Sequence, residues 1–392
     1  MANVADPAGL SIGFVVDRFG ARYGGAEAYG VELMRELHAQ GHRITVYARE
    51  YDPACGLGLP FVPIRIARHW PSWIRVWLFA RRAARLVRGR HDIVHSHMNG
   101  WCGDVEVVHV TPVRSRWFDR DMARHKRWQA HISPRVRTYL RLETRRMQQR
   151  PGHRVVAVSR LIASQIERAY GLQGVPVIPP GVGVVGATRT LERKAVRAEL
   201  GLPAEQTLCL LVARNPMRKG LPTVLQAMER LPDHIGLIVV GANAAARDCV
   251  ARAPEGVRAR VHLVAQTSRV APYYRAADIY VHPTLNDSFG MAPLEAMAFG
   301  LPVILSPAPW CGFAQYLEHG QDALILPHPE QPQALADLVL QLQSDPQLVR
   351  RLHAGAQRVL ARHAWPEVAR QYLDLYAQVL HERGTGPAAW PA

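Results

Sequence analysis

A cationic loop in the second half of this 392-residue chain has the residue types to bind a diphosphate. It reads Arg214-Asn215-Pro216-Met217-Arg218-Lys219-Gly220 and directly follows Leu208–Ala213, an apolar run that predicts a buried strand. Guanidinium and ammonium groups at the end of a parallel strand suit a diphosphate held there. Lys219 adds weight, because only three of the 48 basic residues are lysines. A solvated basic loop is the alternative interpretation.

A second loop carries two carboxylates on either side of a predicted helix start. It reads Asp287-Ser288-Phe289-Gly290-Met291-Ala292-Pro293-Leu294-Glu295. Pro293 is expected at the first helical position, which places Asp287 in the loop and Glu295 in the first turn. The free amides of the helix start would face a ligand, and two carboxylates can grip the vicinal hydroxyls of a ribose or hexose. Glu295 could instead be only a favourable first-turn charge.

A glycine pair, Tyr23-Gly24-Gly25-Ala26-Glu27, lies between the first predicted strand and its helix. Paired glycines let the backbone approach a ligand, and the helix start offers N–H groups to an anion. The run is not G-x-G-x-x-G, so it predicts no dinucleotide cofactor. Taken alone, it is equally typical of a tight turn.

Three histidines end neighbouring strands in the same half: His95 and His97 on one strand and His109 after the next. They have no carboxylate or cysteine beside them at ligand spacing, so we expect no metal. His109 could donate a hydrogen bond to a substrate hydroxyl, whereas His95 could equally be a core residue. The motif Asp119-Arg120-Asp121 lies in an arginine-dense stretch without a preceding strand, and we interpret it as solvated charge.

The elements that must position these residues alternate between β-rich and helical patterns almost throughout. The Gly-, Val- and Pro-rich stretch Gly171–Gly186 is the best linker candidate, and the alternation restarts after it. We therefore predict an α/β protein with two doubly wound parallel sheets, as Rossmann-like domains at residues 1–180 and 181–392. The tail, from Gln333 to about Arg383, is predicted to be helical, and its C-terminal helix could return to the first domain.

The charge of the chain is concentrated in its first half. The formal net charge is +16, and residues 1–170 hold 28 basic and 14 acidic residues against 20 and 18 in residues 171–392. This asymmetry predicts an anionic partner for the first domain, and no nucleic-acid-binding module is recognisable. In Trp70–Arg90, tryptophans at helical spacing alternate with arginines, which suits a lipid headgroup boundary. The tryptophans could equally face the core.

Composition and cysteine usage bound the protein class. A composition with 48% hydrophobic and 20% charged residues is typical of globular proteins. No apolar run reaches 18 residues, and no secretory signal is recognisable at Met1–Gly13. Five scattered cysteines without a C-x-x-C pair favour a reducing compartment, so we expect a cytoplasmic protein.

Taken together, these motifs resemble glycosyltransferase family 4, retaining sugar-nucleotide transferases with the GT-B fold, over about Ser11–Leu326. Tyr23–Glu27 is similar to the family's Gly-Gly loop, and Arg214 with Lys219 to its diphosphate-binding Arg/Lys pair. Asp287–Glu295 resembles its Glu-x7-Glu element, and Ile178–Val182 its interdomain strand end. Within the family, Trp310–Tyr316 and Pro179-Pro180-Gly181 resemble the lipopolysaccharide core glucosyltransferase branch. Two features depart from the family: Asp287 replaces the usual Glu, and Gly183–Gly186 lacks polar residues, for which Arg189 could compensate.

The resemblance implies two Rossmann-like domains that face each other across a crevice, the first binding the acceptor and the second a nucleoside diphosphate sugar, UDP-sugar above all. Arg214 and Lys219 would neutralise the leaving diphosphate without a metal or other cofactor. The resemblance also implies the remaining roles. His109, Asp287 and the amides of Phe289, Gly290 and Met291 would bind the sugar, Glu295 the ribose and the Gln266–Thr267 loop the base. Gly24 and Gly25 would bind the donor phosphates, and Glu27 with His97 would face the acceptor.

The function implied is retaining transfer of a hexose to a lipopolysaccharide-core or other lipid-linked glycan. The enzyme would act as a peripheral protein on an anionic membrane surface, at the cytoplasmic face of the inner membrane. A glycosyltransferase with a soluble acceptor, a sugar-nucleotide epimerase on the same fold and a non-enzymatic adaptor are the alternatives.

Overall fold

The computed structural model describes residues 9–118, 128, 132–183 and 189–384. The chain divides into two units: the first holds the described residues up to Gly181 and those from Trp365 onward, and the second is Val182–Ala364. Each unit contains a six-stranded parallel sheet with helices between its strands, so the predicted α/β class with two Rossmann-like domains is confirmed. The Asp119-Arg120-Asp121 motif and linker residues 184–186 lie outside the described residues.

The sheet of the first unit is built from short apolar strands. They are β1 (Ser11–Val15), β3 (Arg43–Ala48), β5 (Phe61–Pro63), β6 (Ile93–Ser96), β7 (Val105–Val108) and β8 (Arg154–Ala157), while β2 (Arg18–Phe19) pairs with β4 (Glu50–Tyr51) in a separate ribbon. The order β5-β3-β1-β6-β7-β8 reverses between β1 and β6. Ligands of doubly wound sheets bind beyond the carboxyl ends of the strands at this kind of reversal.

In the described part of the chain, five helices of the first unit lie between these strands or follow the last of them. They are α1 (Gly25–Ala39), α2 (Ser72–Val87), α3 (Val113–Phe118), α4 (Pro134–Arg146) and α5 (Arg160–Tyr170), with short 3-10 turns at Ala21–Tyr23 and Pro53–Cys55. Ser159 caps α5 by accepting a hydrogen bond from the amide of Ile162, and Gly171 ends it in the left-handed region.

Helix α2 resolves where the tryptophans of the Trp70–Arg90 segment lie. Its core side is aliphatic and aromatic, with Phe79 and Ala83 buried. Trp70 and Trp77 are 44% and 39% exposed, and Trp73 is half-buried. The tryptophans therefore do not form the core of the unit, which leaves them at its surface.

The sheet of the second unit has the order β11-β10-β9-β12-β13-β14, again all parallel and again reversing between two neighbours, β9 and β12. The strands are β9 (Thr207–Val212), β10 (Ile235–Val240), β11 (Val261–Val264), β12 (Ile279–His282), β13 (Val303–Leu305) and β14 (Leu324–Ile325). Their near-continuous apolar sequences fit strands that are covered on both faces.

Eight helices of the second unit lie within the residues that the structure describes. They are α6 (Arg189–Glu199), α7 (Leu221–Met228), α8 (Ala244–Ala251), α9 (Glu255–Arg258), α10 (Ala271–Ala276), α11 (Met291–Ala298), α12 (Pro332–Ser344) and α13 (Pro346–Arg362), with a 3-10 turn at Gly312–Tyr316. Two buried apolar clusters lie between these helices and the sheet.

The last helix, α14 (Trp365–Glu382), belongs to the first unit. Its buried face joins the core formed by β1, β3, β6 and α1. The hydroxyl of Tyr29 in α1 donates to that of Tyr372 at 2.7 Å, and the Tyr376 hydroxyl lies 2.5 Å from Nδ1 of His95. The core of the first unit therefore combines the two ends of the chain.

Candidate functional site

The reversal of strand order in the second unit brings two loops together. The cationic loop follows β9, the acidic loop follows β12, and β9 and β12 are hydrogen-bonded neighbours. The Arg214–Gly220 loop is a compact turn, in which the amide of Lys219 donates to the carbonyls of Asn215 and Pro216. Lys219 and Asp287, 68 positions apart in sequence, thus share one edge of the sheet.

Lys219, His282 and Asp287 form one hydrogen-bonded cluster at this edge. Nζ of Lys219 donates to Oδ2 of Asp287 at 2.5 Å and to the carbonyl oxygen of Asn286 at 3.1 Å. Nε2 of His282 lies 3.0 Å from the same Oδ2. Lys219 and Asp287, which sequence motifs assign to diphosphate and sugar separately, are therefore partners in a single ion pair.

The electrostatics of the cluster keep Asp287 ionised. Burial alone would raise the pKa of Asp287, but the hydrogen bond from His282 and the charge of Lys219 hold it well below its usual value. Burial lowers the pKa of His282, against the opposing effect of Asp287. The cluster is thus a lysine ammonium, an aspartate anion and a neutral imidazole at physiological pH.

Helix α11 differs from its predicted start. It begins at Met291, with Gly290 as its N-cap residue at a φ of 115°. Pro293 is therefore at the third helical position rather than the first, and Glu295 is at the fifth, outside the first turn. Proline fits there because the first amides of a helix have no intrahelical acceptor. The prediction of a first-turn charge for Glu295 is wrong.

Glu295 is instead held by an aromatic partner. The hydroxyl of Tyr274 in α10 donates to Oε2 of Glu295 at 2.9 Å. Burial raises the pKa of Glu295, and the hydrogen bond from Tyr274 partly offsets this. Oε2 of this carboxyl group is thus bound to a fixed tyrosine hydroxyl.

The backbone of the acidic loop pairs with the segment that follows β13. The amide of Asp287 donates to the carbonyl of Trp310 at 2.7 Å, and the amide of Gly312 donates to the carbonyl of Asp287 at 3.1 Å. A Cβ on Gly312 would lie 2.2 Å from the carbonyl oxygen of Ser288, so only glycine allows this approach. Phe289 is buried beneath the loop, against Phe313.

The other predicted donor residues are found at the same sheet edge. Arg214 is exposed and lies two residues beyond the end of β9. Thr267 follows β11, and its Oγ1 accepts a hydrogen bond from the amide of Arg269 at 3.0 Å. The amide of Met291 opens α11, next to Gly290.

In the first unit, the reversal between β1 and β6 also gathers predicted residues. Gly24 is the N-cap of α1, with extended backbone, and a Cβ on Gly25 would meet none of the described residues within 4 Å. Glu27 stands in the first turn of the same helix. The first amides of α1 have no intrahelical acceptor, so they can donate to a ligand anion.

The three histidines pack beside α1. The rings of His97 and His109 are 4.3 Å apart between centroids, and both contact the ring of Tyr29. Nε2 of His95 lies 3.0 Å from Nε2 of His97. Burial lowers the pKa of His95 and of His109 to about 3, and that of His97 also falls. Nε2 of His109 is buried and has no hydrogen-bond partner among the described residues.

Two further findings concern ligands and membranes. Among the described residues, no three His, Cys, Asp or Glu side chains are grouped so that they could hold a metal ion. Within the same ranges, none of the helices has the length and apolar character needed to cross a bilayer.

Sequence reasoning missed His282 and Tyr274. His282 ends β12 and precedes Pro283, so its position at the end of a strand beside β9 was a usable signal. Tyr274 gives no such signal, because its approach to Glu295 depends on the packing of α10 against α11.

Two family models match the chain. The model described as Glycosyltransferase Family 4 matches residues 23–184, and that described as Glycosyl transferases group 1 matches residues 192–359. The D-inositol 3-phosphate glycosyltransferase of Xylanimonas cellulosilytica is 30% identical over 92% of this chain and 93% of its own length. The chain therefore belongs to glycosyltransferase family 4 and has the GT-B fold, as its motifs and two parallel sheets indicate.

Two other similar proteins extend the comparison. The lipopolysaccharide glucosyltransferase WaaG of Escherichia coli is 22% identical over 90% of this chain and 91% of its own. The crystal structure of Anabaena HepE in complex with UDP and glucose has a TM-score of 0.71 at 17% identity, over 93% of this chain and 99% of that chain.

Proposed function

We propose that this glycosyltransferase moves a hexose from a UDP-sugar to an acceptor hydroxyl with retention of anomeric configuration. The convergence of Lys219, Asp287 and His282 at the β9–β12 edge carries the proposal. The complex of Anabaena HepE with UDP and glucose supports the donor class. In this assignment the second unit binds the donor and the first unit binds the acceptor.

The chemistry requires charge compensation on the leaving group. The bond from the anomeric carbon to the diphosphate oxygen breaks, a bond to the acceptor oxygen forms, and the acceptor's proton passes to the departing diphosphate. Arg214 and Lys219 would stabilise the negative charge that develops there, so the proposal needs no divalent ion. Attack from the same face as the leaving group would retain configuration without a protein nucleophile.

The remaining site residues would orient the substrates. Asp287 and the amides of Phe289, Gly290 and Met291 would hold the sugar, Glu295 the ribose and Thr267 the base. In the first unit, Gly24 and Gly25 would accommodate phosphate, His109 the sugar, and Glu27 with His97 the acceptor. The open space at Gly25 supports the assignment to phosphate. The buried Nε2 of His109, which has no hydrogen-bond partner in the described part of the chain, supports the assignment to the sugar.

For the acceptor, we favour a lipid-linked or lipopolysaccharide-core glycan, bound at the cytoplasmic face of the inner membrane. A surface groove of about 890 Å³ lies between α2 and α4, lined by Trp73, Trp77, Trp101 and Arg145 among others. The Arg145 guanidinium lies 4.7 Å from the Trp101 ring centroid, and α2 contains four arginines and no acidic residue. Apolar rings bordered by arginines suit an anionic lipid surface.

A soluble, phosphorylated polyol is the second candidate acceptor. It is favoured by the 30% identity to an enzyme named D-inositol 3-phosphate glycosyltransferase. The basic first unit would suit this anion as well as a membrane.

One experiment separates the candidates. The purified protein is incubated with UDP-glucose alone, with lipopolysaccharide-core lipid in vesicles and with inositol phosphate, and released UDP and sugar products are measured. UDP release that depends on the lipid acceptor supports the favoured proposal, and release with inositol phosphate supports the second. Conversion of the sugar nucleotide without UDP release would identify an epimerase, and no binding of any sugar nucleotide in a thermal-shift panel would contradict both.

A further inference from the structure

The two oxygens of the Asp287 carboxylate have different surroundings. Oδ2 is bound by both Lys219 and His282, at 2.5 and 3.0 Å. Among the described residues, Oδ1 accepts no hydrogen bond, and the side chain of Asp287 is 21% exposed. One oxygen is therefore committed to the protein and the other is available to a ligand.

His282 is itself fixed in one orientation. Its side chain is 1% exposed, and the hydroxyl of Tyr280 lies 3.4 Å from its Nδ1. An ionised carboxylate can only accept a hydrogen bond, so the imidazole proton is on Nε2, where it faces Asp287. The imidazole is thus arranged as a donor to the carboxylate.

The turn between His282 and Asp287 is rigid as well. The amide of Thr284 donates to the carbonyl of His282 at 2.7 Å, and its Oγ1 accepts from the amide of Asn286 at 3.3 Å. The amide of Leu285 donates to the carbonyl of Arg218 at 3.0 Å, which ties this turn to the cationic loop. The distance between the imidazole and the carboxylate therefore depends little on flexible side chains.

The choice of Asp at position 287 makes this arrangement possible. An aspartate is shorter than a glutamate by one carbon–carbon bond, about 1.5 Å. The shorter side chain keeps the carboxylate close to the end of β12, where His282 and Lys219 both reach Oδ2. A longer side chain would move the carboxylate away from the imidazole.

We propose that His282 is a positioning residue that, with Lys219, holds Oδ2 of Asp287 so that Oδ1 alone faces a hydroxyl of the donor sugar. This inference rests on the proposed function, because it explains how the same site would distinguish a UDP-sugar from UDP. His282 contributes to recognition of the sugar and not of the nucleotide. A single fixed acceptor oxygen selects for the position of one hydroxyl.

The test compares UDP with UDP-glucose in binding to His282→Ala, His282→Gln and wild type by calorimetry. We expect His282→Ala to bind UDP within about twofold of wild type and UDP-glucose about tenfold more weakly, because a charge-assisted hydrogen bond no longer orients the carboxylate. His282→Gln restores the affinity, since its amide can donate from the position of Nε2. His262→Ala, which removes a half-buried imidazole from β11, serves as the control. Equal weakening of both ligands, or no weakening, would overturn the proposal.

A second measurement needs no donor. The chain has only three lysines, so labelling of Lys219 by acetic anhydride can be followed by mass spectrometry against Lys194. We expect faster labelling of Lys219 in His282→Ala, because the carboxylate is then free to rotate away from the ammonium, and wild-type labelling in His282→Gln. Unchanged labelling in His282→Ala would contradict the positioning role. Altered labelling in a protein that binds no UDP-glucose would contradict only the proposed donor.

Discussion

The backbone of Gly220 lies directly against the carbonyl of Pro283. A Cβ at position 220 would stand 2.0 Å from that carbonyl oxygen, and the φ of Gly220 is 87°. Glycine is the residue that tolerates both conditions. The loop that carries Lys219 thus packs backbone against backbone on the turn that leads to Asp287, which sets the length of their ion pair.

Gly220→Ala is expected to damage both stability and ligand binding. The added methyl group collides with Pro283 and requires an unfavourable φ, so we expect the second unit to lose more than about 1 kcal/mol in its free energy of unfolding. UDP-glucose binding should weaken as Lys219 moves. Urea unfolding and calorimetry measure the two effects. Gly256→Ala is the control, because a Cβ there meets no described residue within 4 Å, and it should change neither stability nor binding. Equal losses in the two variants would refute the explanation.

Removal of either cation should slow transfer sharply. In Lys219→Ala and Arg214→Ala, the charge that develops on the diphosphate loses one stabilising partner, so we expect turnover to fall about 10²–10³-fold. Steady-state kinetics of UDP release provide the measurement. Arg218→Ala is the matched control, because Arg218 is an exposed cation of the same loop and the substitution keeps its backbone carbonyl, which accepts the hydrogen bond from the amide of Leu285. Near wild-type turnover in either of the first two variants would exclude the mechanism.

The buried histidines predict acid sensitivity of the first unit. Burial lowers the pKa of His95 and of His109 from 6.5 to about 3. As the pH falls, these side chains are therefore protonated in the unfolded chain before they are protonated in the folded protein. Their contribution to stability is complete above pH 6.5 and is lost as the pH falls from there towards 3, at up to about 1.4 kcal/mol per pH unit for each histidine. Hydrogen exchange of β6 peptides at pH 4 to 7 measures this.

His95→Asn is the matched variant for the acid test. Asparagine retains a polar group near the Tyr376 hydroxyl but does not titrate, so the slope of stability against pH should decrease by the contribution of one proton. Carbon-13 spectra that show His95 and His109 charged in the folded protein at pH 5 would contradict the prediction.

Membrane binding should depend on the tryptophans of α2. Trp73→Ser with Trp77→Ser removes apolar surface from the groove, and we expect at least about tenfold weaker binding to phosphatidylglycerol vesicles in sedimentation assays. Phe61→Ser, in which an aromatic residue of β5 that is 37% exposed is replaced, is the control. Binding that is insensitive to the double substitution, or equally strong on zwitterionic vesicles, would argue against this surface.

The sequence predicted most of what depends on local pattern. The buried strands β9 and β12 and the loops after them follow from apolar runs bounded by Gly, Pro and charged residues. Doubly wound topology then implies that Lys219 and Asp287 share an edge, because β9 and β12 flank the point where the order reverses. The resemblance to glycosyltransferase family 4 also predicts that the loops carrying Lys219 and Asp287 form one site, and membership of that family is confirmed.

What the sequence could not supply depends on distances between side chains. Nothing in the spacing of Lys219 and Asp287 indicates that they form an ion pair, or that His282 binds the same oxygen. Helix α11 begins two residues before the predicted start at Pro293, because proline is tolerated at any of the first helical positions and not only at the first. The surface location of Trp77 likewise depends on which face of α2 packs on the sheet.

The membership of α14 in the first unit has a consequence for synthesis on the ribosome. Strands β1 to β8 emerge early, yet the helix that contributes Tyr372 and Tyr376 to their core is translated last. The second unit, Val182–Ala364, is fully translated before that helix begins. We therefore expect the second unit to fold before the first. The first unit would complete its core only after α14 leaves the ribosome, and until then its apolar strands would be exposed to chaperones.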